Sequence, residues 1–191
     1  MITVFLAGEG PTELGGWAKE KVYRDARPSA GVLEALLRKM RDTGWGVVDA
    51  VCWKNIRKYQ ARPSLGAEIH NVMGVALHAT EAGASLVAFT RDRDRDERRE
   101  IDIRLGIEKA TDTLSSCPVI VGGVAIEAIE AWTLALAGQR QSHRHPRPKE
   151  HLASAGIIDQ VAAIEDSDIH SPSLDSPSLR AWLDQARGAL T

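Results

Sequence analysis

The sequence predicts an α/β protein: a mostly parallel four-stranded sheet flanked by helices, with a short helical extension at the C-terminus. Three observations predict it. Four short runs rich in β-branched and apolar residues recur at 2–7, 47–53, 86–90 and 119–124. Segments with apolar residues at helical spacing lie between them. The strands are almost continuously apolar rather than alternating, as expected of a sheet covered on both faces.

Each element follows from its own pattern. Residues 2–7 open the chain as a strand rather than a signal peptide. Val32, Leu33, Leu36, Leu37 and Met40 mark the first helical stripe, and Ile69, Val72, Met73, Ala76 and Leu77 the second. Within 100–114, Ile103, Ile107, Ala110 and Leu114 keep the same period, and 125–137 reads as a well-buried helix. The resulting βαβαβαβα order implies right-handed crossovers. Residues 138–149 form a polar loop with Arg140, Arg144 and Arg147, and 166–177 read as a Ser/Pro/Asp-rich linker. A last helix carries Leu179, Trp182, Leu183 and Ala186 on one face, which must dock on this chain or on a partner. The expected division is an α/β domain over 1–137 and a basic loop with a helical extension over 138–191.

Composition narrows the function classes. A chain of 191 residues, 43% apolar and 26% charged, buries a core without covalent staples. Cys52 and Cys117 are the only cysteines, which argues against a disulfide scaffold or a cysteine zinc site and for a reducing, cytoplasmic setting. No apolar run approaches the roughly 20 residues of a membrane span. The net charge of −2 does not announce nucleic-acid binding, but acidic clusters alternate with Arg-rich segments.

Placement turns these clusters into a site. In an open parallel sheet, ligands bind outside the carboxyl ends of the strands. Gly8-Glu9-Gly10-Pro11-Thr12-Glu13 follows the first strand, Asp92, Asp94 and Asp96 follow the third, and Glu127 and Glu130 follow the fourth. Carboxylates gathered there repel one another unless a cation neutralises them or some hold protons. Hard divalent ions prefer such oxygen donors. In an extended loop, Asp92-x-Asp94 places both carboxylates on one side of the backbone. Gly8 and Gly10 are expected to let the chain turn beside Glu9.

Plainer roles compete. An Arg/Asp run such as 91–99 also suits a solvated turn. Glu13, Glu127 and Glu130 suit helix starts, where acidic groups are stabilising. Convergence of three clusters on one edge favours function. Arg57, Lys58, Arg62, Arg91, Arg93, Arg140, Arg144 and Arg147 are expected to line a phosphate track. His143, His145 and His151 fit no common zinc spacing, His70 and His78 read as boundary residues, and Trp132 as core. Gly8-x-Gly10 approaches a dinucleotide fingerprint, but Glu13 would oppose a pyrophosphate, and no Walker loop is present.

Glu9-Gly10-x-Thr12-Glu13 after a first strand and Asp92-x-Asp94 after a third resemble the Toprim domain over residues 1–137. Glu127-x-x-Glu130-x-Trp132 and Pro148-Lys149-x-x-Leu152 resemble the small stand-alone Toprim proteins of bacterial anti-phage systems, similar to nucleases of the overcoming-lysogenization-defect (OLD) type. The resemblance implies a Rossmann-like Toprim fold and a Mg²⁺- or Mn²⁺-dependent nuclease using one or two ions. Glu9 would be a general acid/base or a ligand, and Asp92 and Asp94 would hold the metal. Glu13, Asp96, Glu127 and Glu130 would complete a second position, and Lys149 would stabilise the leaving phosphate. Tyr23 and Tyr59 lie in polar segments and suit no topoisomerase nucleophile, so hydrolysis by activated water is the expected chemistry. Nucleic acid and a separate ATPase subunit are the implied partners, a homo-oligomer is compatible, and no membrane is involved. Two other classes stay open: nucleotidyl or phosphoryl transfer to a small substrate, and a non-catalytic subunit whose acidic loop meets a basic partner.

Overall fold

The structure, a computed structural model, describes residues 1–56, 66–144, 147–152, 156–171 and 175–191. Arg57, Lys58, Tyr59, Arg62 and His145 lie outside the described residues. In chain order the elements are β1 (Ile2–Gly8), α1 (Pro11–Leu14), α2 (Val32–Met40), β2 (Trp45–Cys52), α3 (Ala67–Glu81), β3 (Leu86–Asp92), α4 (Arg98–Thr113), β4 (Val119–Ala125), α5 (Ile129–Leu136), α6 (Pro148–His151), α7 (Ile157–Asp166) and α8 (Pro177–Ala189). The four strands are all parallel in the order β2-β1-β3-β4, a Rossmann-like arrangement.

The near-continuous apolar strands feed two cores. Val4 and Leu6 of β1, with Leu86 and Ala88 of β3, face a cluster shared with Leu33, Leu36, Trp132, Ile164, Leu179 and Trp182. Phe5, Ala7, Val87 and Phe89 point the other way, onto Val72 and Val75 of α3 and Ile103 of α4. The period of two along each strand therefore sorts residues between faces, not between core and solvent. Gly122 is required by this packing, because a Cβ there would lie 2.1 Å from Phe89 Cε1.

The connection from β1 to β2 runs through α2 on one face, and the connection from β3 to β4 runs through α4 on the other. The winding thus reverses between the adjacent strands β1 and β3. Open sheets of this kind leave a crevice at that reversal, outside the strand carboxyl ends.

Several boundaries differ from the sequence reading. β2 starts at Trp45 and ends at Cys52, and Trp53 enters a 3-10 turn where its ring lies 5.5 Å from Phe89. The helix expected over 125–137 starts only at Ile129: Ala125 still pairs with Asp92 in the β3–β4 ladder, and Glu127 at φ 67 turns the chain. The short helix α6 begins at the end of the polar loop, at Pro148. Helix α7 was not anticipated, and it places Ile164 fully inside the core before the segment read as a linker. In that segment Ile169 and Ser176 are buried too.

The C-terminal helix is not left for a partner. Leu179, Trp182, Leu183 and Ala186 of α8 are buried against this chain, and the Trp182 indole donates to the Phe89 carbonyl at 3.0 Å. Trp132, read as core, lies beside it with ring centroids 5.9 Å apart. Among the described residues no helix is long and apolar enough to cross a membrane.

Candidate active site

Acidic side chains gather at the β1/β3 reversal, where sheets of this kind place their ligand crevice. Asp92 is the last residue of β3 and is almost fully buried. Its Oδ1 accepts the Ile129 N–H at 3.0 Å, the first turn of α5, where unpaired amides favour an anion. Its Oδ2 meets the Lys149 ammonium of α6 at 2.6 Å. From the end of β1, Glu9 reaches across and accepts the Asp92 backbone N–H at 3.1 Å. Glu9 thus touches the Asp92 backbone, while the same carboxylate oxygen pairs with Arg91.

Glu13 and Glu130 complete the group. Glu13 lies in α1 and its Oε2 accepts the Gly10 N–H at 2.9 Å, so it does serve as the helix-start residue. It is also buried. Burial pushes its carboxyl up to about 7, the charges of Asp92 and Glu130 push the same way, and backbone hydrogen bonds pull against them. Glu130, in the first turn of α5, is raised chiefly by burial and then by Asp92, with the Lys149 charge opposing. Its Oε2 is buried with no hydrogen-bond partner among the described residues. Gly8 is fixed by this cluster, since a Cβ there would fall 2.5 Å from that of Glu13. Gly10 is extended with open space around it, so the expected turning role of the two glycines reduces to close approach at Gly8.

The other predicted ligands have partners of their own around this group. The loop after β3 is not extended: Asp94 and Arg95 take φ values of 48 and 64. That turn sends the Asp94 carboxylate to Arg99 at 2.9 Å instead of alongside Asp92. Asp96 accepts the Arg98 N–H at 3.1 Å and tethers the start of α4 at the surface. Glu127, in its left-handed turn, pairs with Arg93 at 3.3 Å.

Arginines answer the outer acids. Arg91 pairs with Glu9 and, at 3.2 Å, with Glu68, while lying over the Trp53 ring. Arg99 joins the same Glu68 at 3.1 Å. Arg91 and Arg93 are thus committed to carboxylates, so the expected phosphate track loses two members as free cations. Arg140 and Arg144 are exposed, and Arg147 pairs with Glu150 at 3.2 Å. Glu68 was missed by sequence reasoning. It opens α3, far from the acidic motifs, and only the fold brings it beneath the arginines. Of the histidines, His143 approaches the Asp175 carbonyl at 3.2 Å.

Among the described residues no set of three or more His, Cys, Asp or Glu side chains stands as a preformed metal cage. The donor set nonetheless suits a hard cation. It consists of carboxylate oxygens only, it includes the unpartnered buried Glu130 Oε2, and its mutual repulsion is relieved by added positive charge. No family model, no curated protein and no solved structure matches this chain in comparisons with known proteins.

Proposed function

We propose that the chain is a Mg²⁺- or Mn²⁺-dependent nuclease of Toprim type that hydrolyses phosphodiester bonds of nucleic acid. The observation that supports it most is the gathering of Glu13, Asp92 and Glu130 at the β1/β3 reversal, with a buried and unpartnered carboxylate oxygen among them and Glu9 hydrogen-bonded to the Asp92 backbone. Asp92, Glu13 and Glu130 would hold the ion, and Asp94 and Glu127 lie further out at the rim. When bound, the ion would supply Lewis-acid stabilisation of charge on the phosphoryl oxygens.

This chain's own residues supply the rest. Glu9 is partly open to solvent and held by Arg91 and the Asp92 N–H, which suits it to take a proton from an attacking water. Lys149, at the open side of the cleft, is suited to face a phosphate. Arg140 and Arg144 are exposed and free to meet the backbone of a polyanion. The resemblance to anti-phage Toprim proteins suits an effector subunit that works with a separate ATPase. The apolar face of α8 is buried against this chain and so is not the surface that such a partner would use.

Incubation of DNA and RNA with the purified protein and Mg²⁺ or Mn²⁺ tests the reading. Chelation is expected to abolish cleavage, and Asp92→Ala or Glu9→Ala to lower it by about a hundredfold or more with the circular dichroism unchanged. Undiminished cleavage by both folded variants would reject the site. Turnover of free nucleotides without cleavage of polymers would move the activity to phosphoryl or nucleotidyl transfer.

A further inference from the structure

The acidic crevice already contains a cation of its own. Asp92 has two oxygens, and one is spent on the Ile129 amide. The other, the oxygen a metal would use, carries the Lys149 ammonium at 2.6 Å. An ion bonded to that oxygen at about 2.0–2.1 Å would stand against the ammonium as a like charge. The oxygen has lone pairs enough for both, so it is the repulsion between the two cations that sets them in competition.

The other cations around the crevice are built in. The Arg91 side chain is 15% exposed and shared between Glu9 and Glu68. Arg99 is 13% exposed and shared between Glu68 and Asp94. Arg93 is 24% exposed on Glu127. Lys149 differs, being 54% exposed while its partner Asp92 is 2% exposed. It reaches inward from a four-residue helix that begins at Pro148, through a cleft of about 280 Å³ that opens to solvent. Its ammonium therefore has a path out that the guanidinium groups lack. Burial acts to lower its pKa, yet the Asp92 hydrogen bond and the charges of Asp92, Glu130 and Asp94 raise it, so it remains a cation there.

We propose that Lys149 is a tethered counter-ion of the acidic crevice: it neutralises Asp92 in the resting protein and is displaced outward when a divalent cation enters. Metal affinity is then set by this exchange, and metal entry delivers a free ammonium to the rim where a phosphate would arrive. The proposal rests on the metal reading above.

Calorimetric titration of Mn²⁺ into wild type, Lys149→Met and Lys149→Arg tests it, with labelling of lysine amines read by mass spectrometry. Lys149→Met is expected to bind Mn²⁺ about three- to tenfold tighter than wild type, with Lys149→Arg no tighter. Without metal Lys149→Met is expected to melt lower, and with Mn²⁺ to gain more in Tm. Labelling of Lys149 in the wild type is expected to rise on adding Mn²⁺. Equal or weaker binding by folded Lys149→Met, or unchanged labelling on saturation, would overturn the exchange and leave the metal reading standing. Absence of Mn²⁺ binding in all three proteins would overturn both.

Discussion

At Glu13 a local and a tertiary requirement fall on one side chain. The carboxylate closes the start of α1 by accepting the Gly10 N–H, while the fold buries it against Asp92 and Glu130. The folded protein therefore keeps a proton, between the ordinary 4.5 and about 7, that the unfolded chain has released. Without divalent ions, stability from this group is full below 4.5 and is lost as pH rises through about 7, a change on the order of 3 kcal/mol. Urea unfolding at about pH 5 and about pH 8 checks this: wild type is expected to be weaker at the higher pH, and Glu13→Gln to lose much of that difference. A wild type equally stable at both would contradict it. A second residue-scale expectation concerns Arg95, an exposed residue in the left-handed region at φ 64. Arg95→Gly is expected to raise the urea midpoint, by up to about 1 kcal/mol in stability.

At the scale of elements, α8 completes one face of the sheet. Trp182 is fully buried and its indole satisfies the Phe89 carbonyl, so Trp182→Ala removes packing and leaves a buried acceptor unpaired. A loss of about 3–5 kcal/mol is expected in equilibrium unfolding. Gly122→Ala on β4 is expected to cost about 1–3 kcal/mol, because its Cβ must displace the Phe89 ring. Helix α8 was legible in the sequence from the spacing of Leu179, Trp182, Leu183 and Ala186, but its partner was not, since an apolar stripe states that it must be covered and not by what. All four strands were legible to within two residues at their starts because a doubly covered sheet demands unbroken apolar runs. Helix α7 was not, because Ile157 and Ile158 stand together and the exposed Ile158 blurs the helical period. The turns after β3 and β4 were misread for one reason. Asp94, Arg95 and Glu127 adopt left-handed backbone that glycine usually takes, so the residues announced an extended loop and a helix start instead.

At the scale of the molecule, topology explains why Glu9 and Asp92 meet although a helix–strand–helix stretch separates them. The order β2-β1-β3-β4 makes their strands neighbours and sends the flanking crossovers to opposite faces, which opens the crevice between their carboxyl ends. Such juxtaposition is readable from a βαβ pattern once the strands are ordered. The ion pairs are not: Glu68, Arg91 and Arg99 converge through side-chain reach that no spacing in the chain records. The net result is a site whose rim is compensated by tethered cations while Glu13 and Glu130 remain buried acids in need of a counter-charge. A crystal grown with Mn²⁺ and measured at the manganese edge tests this most directly. An anomalous peak within bonding distance of Asp92 and of Glu13 or Glu130 is the expected result. A well-ordered site with Lys149 still on Asp92 and no peak at saturating Mn²⁺ would contradict it.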